Sequence, residues 1–594
     1  MKFSEYVYER PNIDEVSNEV IAIADEIAIA KSKDEAVALI QKAEKITNHF
    51  QTMSTICSIR NSINTEDEFY KKEQEFFDEN TPTYQNAVTK YAASLVNSPL
   101  RKELEGVYGS QWFKILELNL KSFDEKITDE LIAESKLVTE YSKLLASAKI
   151  EFDGKINNLS QMTVYTNSSD RNIRLEATKK IAEFMSSIET KLDDIYDKLV
   201  HVRDKMAKKM GYDNYIPFGY IRLGRSDYDA SMVKNYRDQV YETIVPIAKS
   251  IIENQKKRIG ISDFKSYDIP LFYNDGNPMP HKDKDTLVKK AYEMYSDISP
   301  ETKEFFKFMM DNELMDLETK PNKQGGGYCT VIADYKAPFI FSNFNGTMGD
   351  VDVLTHEAGH AFECYTATKN LPISDLYWPT LEACEIHSMS MEFFAHPYMD
   401  KFFDADAAKY RFKHLAEAIT FIPYGVCVDD FQHYVYANPN VTPAQRKAYW
   451  HEIEAKYTPW KDFDGISYYE RGNWWQRQSH IFGTAFYYID YTLAQVCAFQ
   501  FLLLNHNNHK EAWETYYNLC KMGGSKSFTG LLQAINFKNP FESGALKCIM
   551  PGVCDILKVL ENEYANLKKK YFNFVNYVKY GILEVGKKRS YEDG

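Results

Sequence analysis

The stretch Val353-Leu354-Thr355-His356-Glu357-Ala358-Gly359-His360-Ala361-Phe362 decides how the chain folds around its chemistry. Its apolar residues, with Tyr365 beyond them, recur at the spacing of a buried helix, and Asp350 and Asp352 stand where acidic side chains suit the positive end of the helix dipole. Residues four apart share a helix face, so His356 and His360 direct their imidazoles to a common point with Glu357 beside it. In a chain of 594 residues with 13 histidines and 85 acidic residues, a pentad of His, acid, two free positions and His arises by chance about 0.04 times. Two neutral imidazoles completed by a carboxylate form a hydrolytic zinc site that keeps a fourth position for water. Glu357 then stands ready to take that water's proton.

Downstream, residues 379–395 read as a helix that opens at Pro379 and stops before Pro397. It offers Glu382, Glu385, His387, Ser388 and Glu392. Glu385 and Glu392, seven apart, share a face with Ser388, so one carboxylate ligates while the other buttresses an imidazole. Spacing does not choose between them, nor does it remove Glu382 one turn earlier. His387 points elsewhere, as a packed or surface histidine. Cys364 and Cys384 flank this region and read as small core residues.

Upstream, Gly325-Gly326-Gly327-Tyr328 leads into Thr330-Val331-Ile332, and Phe339 to Phe344 follows, the one sheet signal in a chain otherwise patterned for helices. The fold class is mostly α with a small β-sheet beside the metal helix. Residues 1–160 form an N-terminal helical region in which Thr81-Pro82 is expected to interrupt two helices, and 161–594 form the catalytic region. A long helix is expected from Asp170 through Met210, capped by Gly211. Ile261 to His281 and Trp460 to His480 read as aromatic loops; within the second, Tyr468 to Trp475 suits either a cleft wall or a packed surface loop. Val496 to Leu504 reads as a buried helix.

Composition narrows the partners. With 44% hydrophobic and 26% charged residues the chain is globular rather than disordered. A net charge of −14 with both signs interspersed gives no footprint for nucleic acid. Glu5 and Glu9 break any secretory core at the N-terminus, and no stretch reaches the ~18 apolar residues of a membrane span. Nine scattered cysteines without a Cys-x-x-Cys pair fit a reducing cytoplasm. Oligomeric state is not legible.

Several segments together resemble the thimet oligopeptidase and oligoendopeptidase F family. These are Asn343 to Thr347, His356 to Phe362 and Glu385 to Glu392, with Ala207 to Tyr215 upstream and His480 to Tyr491 downstream, in the family's order. The resemblance covers about two-thirds of the chain and favours the oligoendopeptidase F branch. It implies one zinc ion held by His356, His360 and Glu385, the third ligand being selected by the family's interval after the first histidine. It also implies an elongated, two-lobed helical body whose deep channel admits short unstructured peptides, held by a strand edge that suits Gly325 to Tyr328 or Phe339 to Phe344.

The expected activity is a zinc-dependent oligoendopeptidase: Glu357 the general base, and His480 with a tyrosine from its segment the oxyanion donors. Tyr491 ranks first, Tyr488 second, and Tyr487 also qualifies. One alternative is a zinc carboxypeptidase of similar helical form, which needs a cation for the substrate's free carboxylate; the sequence singles out no arginine for it. Another is a non-catalytic peptide-binding protein, in which a broken pentad is expected; here the pentad is intact.

Overall fold

The computed structural model describes residues 1–280 and 283–566. His281, at the end of the expected aromatic loop, and the last part of the 161–594 region lie outside the described residues. Helices carry most of the rest, with two small sheets. Local chemistry sets their ends: Asp170 accepts hydrogen bonds from the N–H groups of Asn172 and Ile173 and starts the helix Arg171–Lys209. Gly211, just past it, has φ of +91°, where a side chain would be strained.

Thr81-Pro82 does not end a helix: Glu68–Val96 runs straight through it. Pro82 has no N–H to give, yet Thr81 Oγ1 donates to the Phe77 carbonyl at 2.6 Å and Asn80 Nδ2 to that of Phe76 at 2.8 Å. Phe77 and Tyr84, on either side of the proline, both pack on Phe50, with ring centroids 5.8 and 3.9 Å away. Tertiary packing thus outweighs a local penalty of about 3 kcal/mol.

The smaller sheet is a hairpin of β1 (Ile150–Phe152) and β2 (Lys155–Asn157) turning at Asp153-Gly154, both with positive φ. The Asp-Gly pair is a strong hairpin signal, but strands of three residues are too short to show alternation. The larger sheet comprises β3 (Met315–Glu318), β4 (Tyr328–Ile332) and β5 (Ala337–Phe344) in the order β3-β5-β4. Strand β5 is central, parallel to β3 and antiparallel to β4. Both of its edges are therefore paired, so of the two runs suited to hold a substrate only the one leading into β4 lies on a sheet edge. The four residues of β3 include no β-branched side chain, which hid it from pattern reading.

The pentad lies on a helix, Gly349–Asn370, that packs on β4 and β5 and on the helix Leu381–Ala395. Leu381–Ala395 in turn packs along Ile489–Asn507. Close approach of the first two helices depends on Gly359, where a Cβ would stand 2.6 Å from Ser388 Cα and 2.7 Å from the His387 carbonyl oxygen. Helices between Ile13 and Ser122 share a second core into which Ile373 and Leu376 insert, just after the pentad helix. Among the described residues no helix is long and apolar enough to cross a membrane.

Candidate metal centre and the facing histidine

His356 Nε2 and His360 Nε2 stand 3.2 and 3.4 Å from Glu385 Oε2. Ligand atoms of the three side chains all lie within 4.8 Å of one another, the one such convergence of His, Cys, Asp or Glu among the described residues. The carboxylates that spacing left open occupy different surroundings. Glu382 is fully buried, and burial pushes it up to about 7 against the pull of Arg225. Glu392 accepts from His356 Nδ1 at 2.6 Å, which leaves Nε2 of that ring as the atom facing Glu385. His387 is buried, with Nδ1 2.8 Å from the Ala383 carbonyl.

Around this triad the supports continue outward. Glu392 Oε2 meets His414 Nε2 at 2.7 Å, and His414 Nδ1 meets His396 Nε2 at 2.9 Å. Burial alone would raise Glu392, but its hydrogen bonds with His356 and His414 outweigh it and hold the carboxyl at about 2. Ser388 Oγ donates to Glu385 Oε2 at 2.9 Å, and the Tyr487 hydroxyl to Glu385 Oε1 at 2.8 Å. Burial would likewise raise Glu385, and the two imidazoles overcome it, holding it well below its usual range. Glu357 is raised by burial, with both pentad histidines opposing. Gly327, just before β4, faces its carboxylate: a Cβ there would lie 3.6 Å from Glu357 Oε1.

His480 sits on a short turn, Ser479–Gly483, and Tyr487 ties its segment to the triad through Glu385. Gln478 orients the ring. The Tyr424 hydroxyl donates to Gln478 Oε1 at 2.9 Å, so the amide nitrogen donates to His480 Nδ1 at 2.8 Å. With Nδ1 accepting, the neutral ring carries its hydrogen on Nε2; burial keeps its pKa down despite nearby Glu385. Tyr491 OH lies 3.4 Å from that Nε2. Tyr488 packs edge-on to His480, Phe421 and Tyr424.

Two buried arginines fix the backbone here. Arg203 donates to the carbonyls of Phe482 and Gly483 at 2.6 and 3.1 Å while paired with Glu134. Arg225 donates to the Phe486 carbonyl and to Asp490, both at 2.6 Å. Phe486 has φ of +67°, and its ring lies against Gly219, where a Cβ would be 2.9 Å away. Arg203, Arg225, Gln478 and His414 escaped sequence reading because each acts from an element distant in sequence or through an unremarkable local pair. Gly359 did carry a signal, a glycine inside a helical pattern.

The helical body thus draws a His-x-x-x-His pair and a carboxylate from the adjoining helix to one point, an arrangement that could hold a metal ion. The model of peptidase family M3 matches residues 164–550, and that of the peptidase M3 N-terminal domain matches residues 3–123. The chain belongs to peptidase family M3. It is 32% identical over 161 residues to the chromosomal oligoendopeptidase F of Lactococcus lactis subsp. cremoris, covering 26% of each chain. To the oligoendopeptidase F homolog of Lactococcus lactis subsp. lactis (strain IL1403) it is 24% identical over 375 residues, 57% of this chain and 59% of that one. These matches thus span from about a quarter to three-fifths of the curated relatives' own length. Among solved structures, PZ peptidase A with an inhibitor shares 50% identity at a TM-score of 0.91, covering 94% of this chain and 99% of that one. The resemblance to the oligoendopeptidase F family holds.

Proposed function

We propose that the protein is a zinc-dependent oligoendopeptidase that hydrolyses internal bonds of short, unstructured peptides. The observation that carries this is the convergence of His356, His360 and Glu385 beside Glu357. The donor set fits one zinc ion: two imidazoles and a carboxylate, with His356 held at its far nitrogen by Glu392 and Glu385 held by Ser388 and Tyr487. Bound zinc supplies Lewis-acid polarisation of a peptide carbonyl and makes water a stronger acid.

The chain's own residues do the rest. Glu357, buried at the face of the pentad helix, accepts the proton of the attacking water and returns it to the departing amine. His480 presents Nε2–H, and Tyr491 its hydroxyl, to the oxyanion; Tyr488 is the second candidate. The edge at β4 holds the substrate backbone by main-chain hydrogen bonds, with Gly327 leaving room beside Glu357. A two-lobed body with a deep channel would restrict entry to short chains. Nine unpaired cysteines suit a reducing compartment, and we assign the cytoplasm.

Metal analysis combined with mass spectrometry of a peptide-library digest tests this. One zinc per chain and cuts at internal bonds are expected. A metal-free protein as isolated that also fails to take up zinc, or removal of terminal residues alone, contradicts it.

A further inference from the structure

Two cavities meet at Arg477, three residues before His480. One, of about 430 Å³, is walled by rings that include Tyr267, Phe463, Tyr468, Tyr469 and Trp474. The other, of about 320 Å³, shares Ser266, Pro270, Trp474 and Arg477 with the first and extends to Tyr424 and Gln478, the pair that orients His480. The space therefore runs from an aromatic pocket to the back of the proposed oxyanion donor. Gly472, two residues before Trp474, is closely packed: a Cβ there would stand 2.3 Å from the Lys447 carbonyl oxygen.

Charge within this space is uneven. Lys461 lies 4.5 Å from the Trp474 ring centroid but is neutralised by Glu454 at 2.8 Å. Arg477, exposed on the cavity wall, stacks on the same ring at 4.8 Å and, among the described residues, has no ion pair and no side-chain hydrogen bond. Every other described arginine donates at least one hydrogen bond. A guanidinium over an indole, without an ion pair and among surrounding rings, matches a carboxylate flanked by apolar side chains.

We propose that Arg477 and the two cavities that meet at it form a binding site for a carboxylate of the peptide substrate, with the rings taking the side chain beside it. This rests on the peptidase reading and adds a specificity-determining residue to it. The carboxylate comes either from the peptide's free C-terminus or from an aspartate or glutamate side chain. Arg477 precedes His480 by three residues, which span at most about 11 Å.

The test is calorimetric titration of the full-length zinc-loaded protein, in a Glu357→Gln background, with a short peptide ending in phenylalanine. It is supplied as the free acid, as the amide, and as an amide containing glutamate. Arg477→Gln should raise the Kd of the free acid about tenfold, the value of a charge-assisted hydrogen bond, and leave the plain amide within about twofold. Arg477→Lys should recover part of the loss. An effect confined to the free acid assigns the site to the C-terminus; an effect on the glutamate-containing amide alone assigns it to acidic side chains. Equal binding of all three peptides, or equal weakening of all three by Arg477→Gln, overturns the site. Turnover with Glu357 intact separates the two claims. Cleavage without any Arg477 effect removes this site and leaves the peptidase reading, whereas Arg477-dependent binding without cleavage does the reverse.

Discussion

Gly359 faces Ser388 so closely that a Cβ on the glycine would lie 2.6 Å from the serine's Cα. The contact joins the helix that carries His356 and His360 to the helix that carries Glu385, so the width of one methyl group sets the geometry of the proposed ligand triad. Gly359→Ala cannot be absorbed by a side-chain rotation, because its two nearest neighbours are backbone atoms. It should lower stability by about 1–3 kcal/mol, as overpacking does, and reduce zinc content at equal protein concentration. Gly106→Ala, at a helical position with nothing within 4 Å, is the control and should be neutral or slightly stabilising in the same thermal melt.

Glu392 bridges His356 and His414. Glu392→Gln keeps the shape but replaces one acceptor oxygen with an amide, so one imidazole loses its partner. Zinc affinity, measured by competition with a chromophoric chelator, should fall about 10- to 100-fold, the usual effect of removing such a support. His414→Ala should fall in the same direction by less. Unchanged affinity in both would mean that the bridge does not hold the ligand.

Legibility followed element length and locality. The pentad helix, the helix after Pro379, the cap at Asp170 and strands β4 and β5 were readable because each announces itself within a short window. The proposed third ligand was not readable from spacing alone: Glu382, Glu385 and Glu392 lie one or two turns apart on one helix, and the family resemblance made the choice. Pro82 misled because the ring contacts that carry the helix through it come from Phe50, far away in sequence. His414, Arg203 and Arg225 act across 22 to 280 residues, separations that no periodicity records. Tyr487 was named among three tyrosines, and only the folded chain reveals its bond to Glu385.

Acid should loosen the His480 segment through Glu134. This carboxyl is 10% exposed; burial alone would raise it, but Arg203 and Arg222 outweigh burial and bring it from 4.5 to about 2. Its folded-state pKa is depressed, so its contribution is present above the unfolded value and is lost as pH falls from about 4.5 towards 2. The shift corresponds to stability on the order of 3 kcal/mol. Urea midpoints measured across that window should fall for the unsubstituted protein and fall less steeply for Glu134→Gln. Parallel slopes would remove Glu134 from the account.

Arg203 reads out the same linkage in function. It holds the Phe482 and Gly483 carbonyls just beyond His480, yet bonds to none of the proposed zinc ligands. Arg203→Lys should therefore retain zinc while lowering kcat more than it raises KM, since a misplaced donor costs transition-state contacts. A change confined to KM would argue against a link through His480.

The most direct test concerns Glu357. Unsubstituted protein and Glu357→Gln, each assayed for zinc by atomic emission, are given a short peptide blocked at both ends, with products identified by mass spectrometry. Equal zinc near one per chain is predicted, with internal cleavage by the first protein and loss of cleavage by at least about a thousandfold in the second. Cleavage by Glu357→Gln at a rate near that of the unsubstituted protein would contradict the assignment of Glu357 as the base.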